Sequence, residues 1–230
     1  MIERDEVITK NLLQIREYTK ENEELSKSHH FLYNCPINKN INLAEVIIVG
    51  INPGETSTDW IYEGDLPTEE SSEFDFHEKI GRGSSSKRWI RLCEKYSKTK
   101  NIVLTEFFFW SSPQVGEDEK KEKFSERFGY RFEDCPHFEF CRDRNIELIN
   151  LLKPKIIICP GVGCSDLFSR IYNLNYIGTF RCSEDKRNRR AIIHYELNKV
   201  PFVFTLHWSN AMVSKEETSF MIDYIEKITK

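Results

Sequence analysis

The sequence predicts an α/β fold: three layers, α/β/α, around a central, mainly parallel four-stranded sheet. Three observations carry that prediction. Four short runs of apolar, largely β-branched or aromatic residues are each closed by Gly, Pro, Asn or Ser, the habit of strands buried on both faces. Roughly 40 to 50 residues separate successive runs, room for the crossovers that parallel strands require. Segments with helical apolar spacing lie between and outside the runs.

Composition agrees with a globular chain. The 230 residues are 39% hydrophobic and 13% aromatic, enough to build one large core and too apolar for general disorder. One domain is expected over 1–230, with 1–42 an N-terminal helix and connection and 43–230 the α/β core. The net charge of −4 is mild, so only a local basic patch could mark a nucleic-acid partner. No run of 18 apolar residues occurs, which excludes a transmembrane helix from the expectation. Met1 to Glu6 is acidic and lacks the apolar core of a secretory signal. Seven scattered cysteines do not make a disulfide framework. A reducing cytoplasm is the expected compartment.

Taken in order, Ile8, Leu12, Ile15 and Tyr18 share one helical face between Arg4 and Asn22. A polar connection follows, carrying Cys35-Pro36 and the adjacent pair His29-His30, which reads as surface rather than metal. Val46 to Val49 then form the first strand and run into Gly50-Ile51-Asn52-Pro53-Gly54. That turn is either a plain strand end or a place where backbone approaches a ligand, since open α/β sheets bind at the carboxyl ends of their strands. The stretch from Glu55 to Ser86 is a long loop holding Trp60, Tyr62, Phe74 and Phe76, and loops of such length in compact domains are commonly functional. A helix with Trp89, Leu92, Cys93 and Tyr96 on one face follows, its start basic through Lys87, Arg88 and Arg91.

Asn101 to Trp110 supplies the second strand, ended by Ser111-Ser112-Pro113. Phe107 to Trp110 read as core and pocket wall. After the mixed charges of Glu117 to Lys123, a helix is predicted from Arg142 to Leu152, with Ile146, Ile149 and Leu152 inward, stopping before Pro154. Lys155 to Gly161 is the third strand, and Val162 to Tyr172 the helix after it. Two strand-like pieces between Thr179 and Leu197 flank a basic tip, Lys186-Arg187-Asn188-Arg189-Arg190, expected as an exposed hairpin whose charges are either solvated, the commoner case, or track a nucleic-acid backbone. Val200 to Leu206 is the fourth strand. Ser214 with Glu217 forms a capping-box pattern before the face of Phe220, Met221, Tyr224, Ile225 and Ile228.

A parallel sheet would gather the turns after these strands at one edge: Asn52, Glu106 to Trp110, Gly161-Val162-Gly163, and His207 with Ser209. In that order they resemble the uracil-DNA glycosylase superfamily. Gly50-Ile51-Asn52-Pro53-Gly54 is similar to its first motif, best matched in the mismatch-specific and single-strand-selective branches. His207-Trp208-Ser209-Asn210 resembles the second motif, and Leu151 to Gly161 the helix-Pro-strand-Gly stretch between them. The resemblance covers about Val46 to Ser214.

It implies a DNA glycosylase that hydrolyses the N-glycosidic bond of a deaminated, mismatched or modified base, held out of the stack in a pocket. Asn52 would position the water and His207 would donate to the departing base. Ile51 and Glu106, with a ring from Trp60, Phe74 or Phe76, would line the base pocket. Ser209 and the amides around Gly161, Val162 and Gly163 would grip phosphates, Met212 would fill the gap left by the extruded base, and Lys87 and Arg88 would track the backbone. DNA is then the partner, single- or double-stranded, and a monomer without metal or other cofactor is expected.

Three departures qualify the likeness. Glu106 falls where the family often has Asn to read the base edge. A glutamate ionising near pH ~4.3 would repel a carbonyl oxygen, so uracil fits less well than a base with an exocyclic amine, unless the alignment is off by one or an arginine faces the carboxylate. Trp208 and Asn210 replace the prolines of the second motif. No Cys-x-x-Cys pair supports an iron–sulfur cluster, and Cys135, His137 and Cys141 match no common zinc spacing. Two rival functions remain: a non-catalytic nucleic-acid or nucleobase binder of the same fold, and a hydrolase of small nucleosides or nucleotides.

Overall fold

The computed structural model describes residues 2–28, 31–36, 44–53, 101–112, 115, 122–184, 187–207 and 213–229. Helix α1 (Ile2–Glu21) leads to β1 (Cys35–Pro36), β2 (Val46–Gly50) and β3 (Ile102–Glu106). Then come α2 (Phe124–Phe128), α3 (Phe138–Leu152), β4 (Ile156–Pro160) and α4 (Ser165–Tyr172). The hairpin strands β5 (Asn175–Arg181) and β6 (Arg190–Leu197), then β7 (Val200–Thr205) and α5 (Lys215–Ile228), complete the order.

The strands make one mixed sheet in the order β1-β3-β2-β4-β7-β6-β5. The four strands expected from the sequence, β2, β3, β4 and β7, form its centre and are parallel. The expectation of a four-stranded sheet is nevertheless corrected. Among the described residues six strands have five residues or more, and β1 adds a two-residue seventh. The extra strands pair antiparallel: β6 on β7, β5 on β6, and β1 on β3. Asn198 and Lys199 explain the first of these, since both hold positive φ (51° and 70°). Two such residues make the tight turn whose twist suits a hairpin.

Alternation along the strands fills two cores. Ile47, Val49, Val103, Ile157, Cys159, Phe202 and Phe204 face α1, α3 and α4 with the Phe107–Trp110 rings. Val46, Ile48, Ile102, Leu104, Ile156, Ile158 and Val203 face Met221 and Ile225 of α5. Both faces of the central strands are therefore covered, which is why their sequences are apolar without a polar alternation. Phe107 to Trp110 are fully enclosed, as expected of core residues.

Helix α3 starts a turn earlier than its predicted Arg142, because Phe138 and Cys141 extend its buried face back toward Pro136. It ends at Lys153, in the left-handed conformation, directly before Pro154. At the start of α5 the capping box is formed: Glu217 N donates to Ser214 Oγ (3.1 Å) and Ser214 N donates to Glu217 Oε2 (2.9 Å). Among the described residues no helix is long and apolar enough to cross a membrane.

Candidate active site

The parallel strands all point their carboxyl ends to one edge, so the segments after β2, β3, β4 and β7 meet there. The chain leaves β2 for β3 on one side, then returns past it to β4 and β7 on the other. The crevice between β2 and β4 is thus the point where the strand order reverses, the usual ligand position in such sheets. Gly161 and Ile51 meet at that crevice. Gly161 holds a φ of +154° that only glycine adopts readily, and a Cβ there would stand 3.3 Å from Ile51 Cδ1.

The turn after β2 is zipped to the segment after β3. Phe107 N donates to Gly50 O (2.8 Å), Phe108 N to Ile51 O (3.0 Å) and Ser112 N to Pro53 O (3.1 Å). Asn52 is fixed by the same pairing: its Nδ2 donates to Ser112 Oγ (2.7 Å) and Pro53 O (3.0 Å). A backbone carbonyl can only accept, so the Pro53 contact sets which way the amide faces. Both bonds use the nitrogen, and the carbonyl oxygen Oδ1 is the end left to take a proton donor. Ser112 is a site residue that the sequence marked only as a strand terminator. Its burial and its two bonds to the Asn52 turn come from long-range pairing, for which no local signal exists.

Glu106 closes β3 opposite Gly50 in the parallel register. Its carboxyl lies over the Gly50 backbone, where a Cβ would overlap Oε2 and stand 2.7 Å from Oε1. Gly50 is therefore a seat for that carboxyl as well as a strand end. Oε2 is enclosed without a hydrogen-bond partner, while the residue as a whole is half-buried. Burial pushes the Glu106 carboxyl well above the ordinary glutamate value, because no described cation or donor offsets the loss of water. Its backbone is held from the other side: Asn145 Nδ2 donates to Glu106 O (2.9 Å) and to Tyr172 Oη (2.9 Å), and Thr105 Oγ1 donates to Asn145 Oδ1 (2.8 Å). Asn145 is fully buried on α3, and this polar tie between helix and strand end was not legible in the apolar face predicted for that helix.

His207 follows β7 at the same edge, two residues beyond Thr205, whose carbonyl accepts from Gly161 N (2.9 Å). The ring is half-buried, and burial holds its pKa below the ordinary histidine value. It is a neutral imidazole at neutral pH, able to donate from one nitrogen. Val162 and Gly163 lie in a short 3-10 turn, Val162–Cys164, that leads into α4. The structure thus brings Ile51, Asn52, Glu106, Gly161, Val162, Gly163 and His207 to one edge. Trp60, Phe74, Phe76, Lys87, Arg88, Ser209 and Met212 lie outside the described residues, as does the pair His29-His30.

Two other sequence features are absorbed by structure. In the basic tip, Arg187 Nη2 reaches Glu217 Oε2 (2.8 Å) and Arg189 Nε reaches Glu217 Oε1 (2.6 Å). These arginines brace the loop against α5 rather than stand open to phosphates. His137 is buried with both ring nitrogens engaged, Nδ1 with Tyr18 Oη (3.0 Å) and Nε2 with Glu24 Oε1 (3.0 Å). Burial pushes the neighbouring Cys135 thiol up to about 12 and Cys141 well above its ordinary value, the reverse of what a thiolate ligand needs. Among the described residues no group of three or more His, Cys, Asp or Glu side chains is placed to hold a metal ion.

Comparison of the chain with protein-family models and with curated proteins found no match.

Proposed function

We propose that the chain is a DNA glycosylase that hydrolyses the N-glycosidic bond of a deaminated, mismatched or modified base. The observation that carries this reading is that a clamped Asn52 and a half-buried His207 follow two strands, β2 and β7, at the carboxyl edge of the same parallel sheet. In this reaction the bond between C1′ and the base breaks with its electron pair passing to the base. Positive character grows on the sugar while negative charge grows on the base, and water completes the sugar. A group near C1′ must hold water, and a donor must face the base oxygen.

Asn52 suits the first task. With its nitrogen tied to Ser112 and Pro53, its Oδ1 accepts a hydrogen from water and turns the water oxygen toward the sugar. An amide is no strong base, so the water is oriented rather than deprotonated, which is sufficient when the sugar is already cationic in character. His207 suits the second. A neutral imidazole donates one hydrogen bond to a departing oxyanion without first protonating the base. Enclosure strengthens that bond. The order of these groups along the chain is that of the glycosylase superfamily the sequence resembles, and the roles given to them here are the ones that resemblance implies.

A second reading is favoured by one observation. Arg187 and Arg189 are engaged by Glu217, which takes two cations from those that could track a nucleic-acid backbone. A hydrolase of small nucleosides or nucleotides needs no such track.

The test is strand cleavage after alkali, using labelled oligonucleotides that each carry uracil, hypoxanthine, xanthine, thymine opposite guanine, or an alkylated base, single- and double-stranded. The expected result is cleavage at one class of lesion, reduced by about 100-fold or more in Asn52→Ala. A folded wild-type protein that cleaves none of them contradicts the reading, and release of base from free nucleosides would then favour the second.

A further inference from the structure

We propose that Glu106 works as a neutral carboxylic acid that donates a hydrogen bond to a carbonyl oxygen of the flipped base, making this a site for oxo bases, the products of base deamination. The inference rests on the glycosylase reading and adds the class of base to it.

Three features of the carboxyl point the same way. It stands at the strand edge beside the Asn52 turn, seated on Gly50, a position that a side chain at residue 50 would fill. Its Oε2 is enclosed with no hydrogen-bond partner, although native proteins pair nearly all buried polar atoms. Its backbone is braced by Asn145, so the side chain is presented from a fixed strand end. A carboxyl on a braced strand end, at the ligand edge of a sheet, with an enclosed oxygen that nothing bonds, has hydrogen-bonding capacity that the fold itself does not meet.

The charge of the group decides what it can bind. A carboxylate accepts only, and suits an exocyclic amine. A neutral acid carries one O–H, and can donate to a carbonyl. The surroundings select the second. Strand β2 contributes only apolar residues, Val46 to Gly50. On β4, Cys159 is a buried thiol pushed well above its ordinary value, and beyond Asn145 the Tyr172 hydroxyl of α4 is pushed up as well. His207, at the end of β7, is held neutral. None of these groups supplies positive charge, and desolvation disfavours an unpaired carboxylate in such a place. The sequence-based objection to uracil assumed an ionised Glu106. Burial removes that premise.

The two charge states predict opposite pH dependences. If a neutral Glu106 donates to the base, release slows as pH rises through its pKa. If an ionised Glu106 accepts from an amine, release quickens over the same range. Glutamine cannot ionise yet keeps a donor, so it separates the two.

The experiment is single-turnover base release from oligonucleotides bearing uracil, hypoxanthine, xanthine or an amine-bearing modified base, from mildly acidic to alkaline pH. Wild type is compared with Glu106→Gln, Glu106→Ala and Gly50→Ala. The expected result is release of an oxo base whose rate falls with rising pH. Glu106→Gln stays within about tenfold and loses that fall, while Glu106→Ala loses about 100-fold. Gly50→Ala displaces the carboxyl toward water, and its alkaline fall therefore begins at lower pH. An unchanged pH profile in Glu106→Gln, or a rate that rises with pH on an amine-bearing base, overturns the inference and leaves the glycosylase reading standing. A folded wild type that releases no base defeats the glycosylase reading itself, and the role of Glu106 falls with it.

Discussion

Glu106 and Glu217 are both enclosed carboxyls, and they are enclosed in opposite ways. Glu217, at 1% exposure, takes Arg187, Arg189 and the Ser214 amide on its two oxygens. It joins the β5–β6 loop to the first turn of α5, and every bond it makes is internal. Glu106 has an enclosed oxygen with no bond at all, at the edge where the parallel strands end. Burial alone therefore does not mark a functional carboxyl. What separates them is whether the fold satisfies the group: the paired one contributes to stability, and the orphaned one detracts from it in exchange for an unmet valence at the ligand edge.

That contrast can be broken most forcefully at Glu217. Replacing it with Ala removes the capping box and the carboxylate that Arg187 and Arg189 share. A loss of about 3 kcal/mol in urea unfolding is expected, the low end of the range for a fully buried pair because both arginines are partly in water. A loss under about 1 kcal/mol would mean that the ion pairs do not hold the loop. Asn145→Ala comes next. It strands Thr105 and Tyr172 and frees the carbonyl of Glu106, for an expected loss of about 2 kcal/mol, with base release impaired through the loosened end of β3.

Glu106→Gln sharpens the comparison by going the other way. A carboxyl with a raised pKa in the folded state is protonated when the unfolded chain has already ionised. Its contribution to stability is fully present below the ordinary glutamate value and is lost as pH rises toward the folded value. Glutamine has no such loss. The variant should match wild type in acid and exceed it increasingly toward neutral pH, read as paired unfolding curves at several pH values. Equal pH slopes in the two proteins would contradict this. Gly50→Ala has the smallest expected effect on stability, under about 1 kcal/mol. Gly50 is not in a left-handed conformation, and what a methyl group would meet is the movable end of Glu106. A large loss there would show the carboxyl to be locked rather than seated.

The frame of the fold was legible because it is written locally. Val46–Val49, Ile156–Cys159 and Phe202–Phe204 are apolar at consecutive positions and closed by turn residues, the pattern of a strand covered on both faces. Ile8, Leu12 and Ile15 mark the buried stripe of α1, and Ser214 with Glu217 marks the start of α5. Partners chosen across the chain were not legible. Strand β6 reads as half of an exposed hairpin until it is seen on β7, and the Arg187 and Arg189 tip reads as a solvated loop or a nucleic-acid contact until Glu217 claims it. At the site, Asn52 and His207 stand out by residue type after a strand. The clamp of Ser112 on Asn52 and the unpaired state of Glu106 depend on residues brought together from β2, β3 and α3, which spacing along one segment does not encode.

The account turns on the protonation of Glu106, and carbon-13 NMR of its carboxyl carbon tests that directly, with the resonance assigned by its loss in Glu106→Gln. The account predicts a carboxyl still protonated at neutral pH, titrating well above the ordinary glutamate value of about 4.3. A titration at or below that value would show Glu106 ionised in the folded protein, and would return the site to a base that offers an amine.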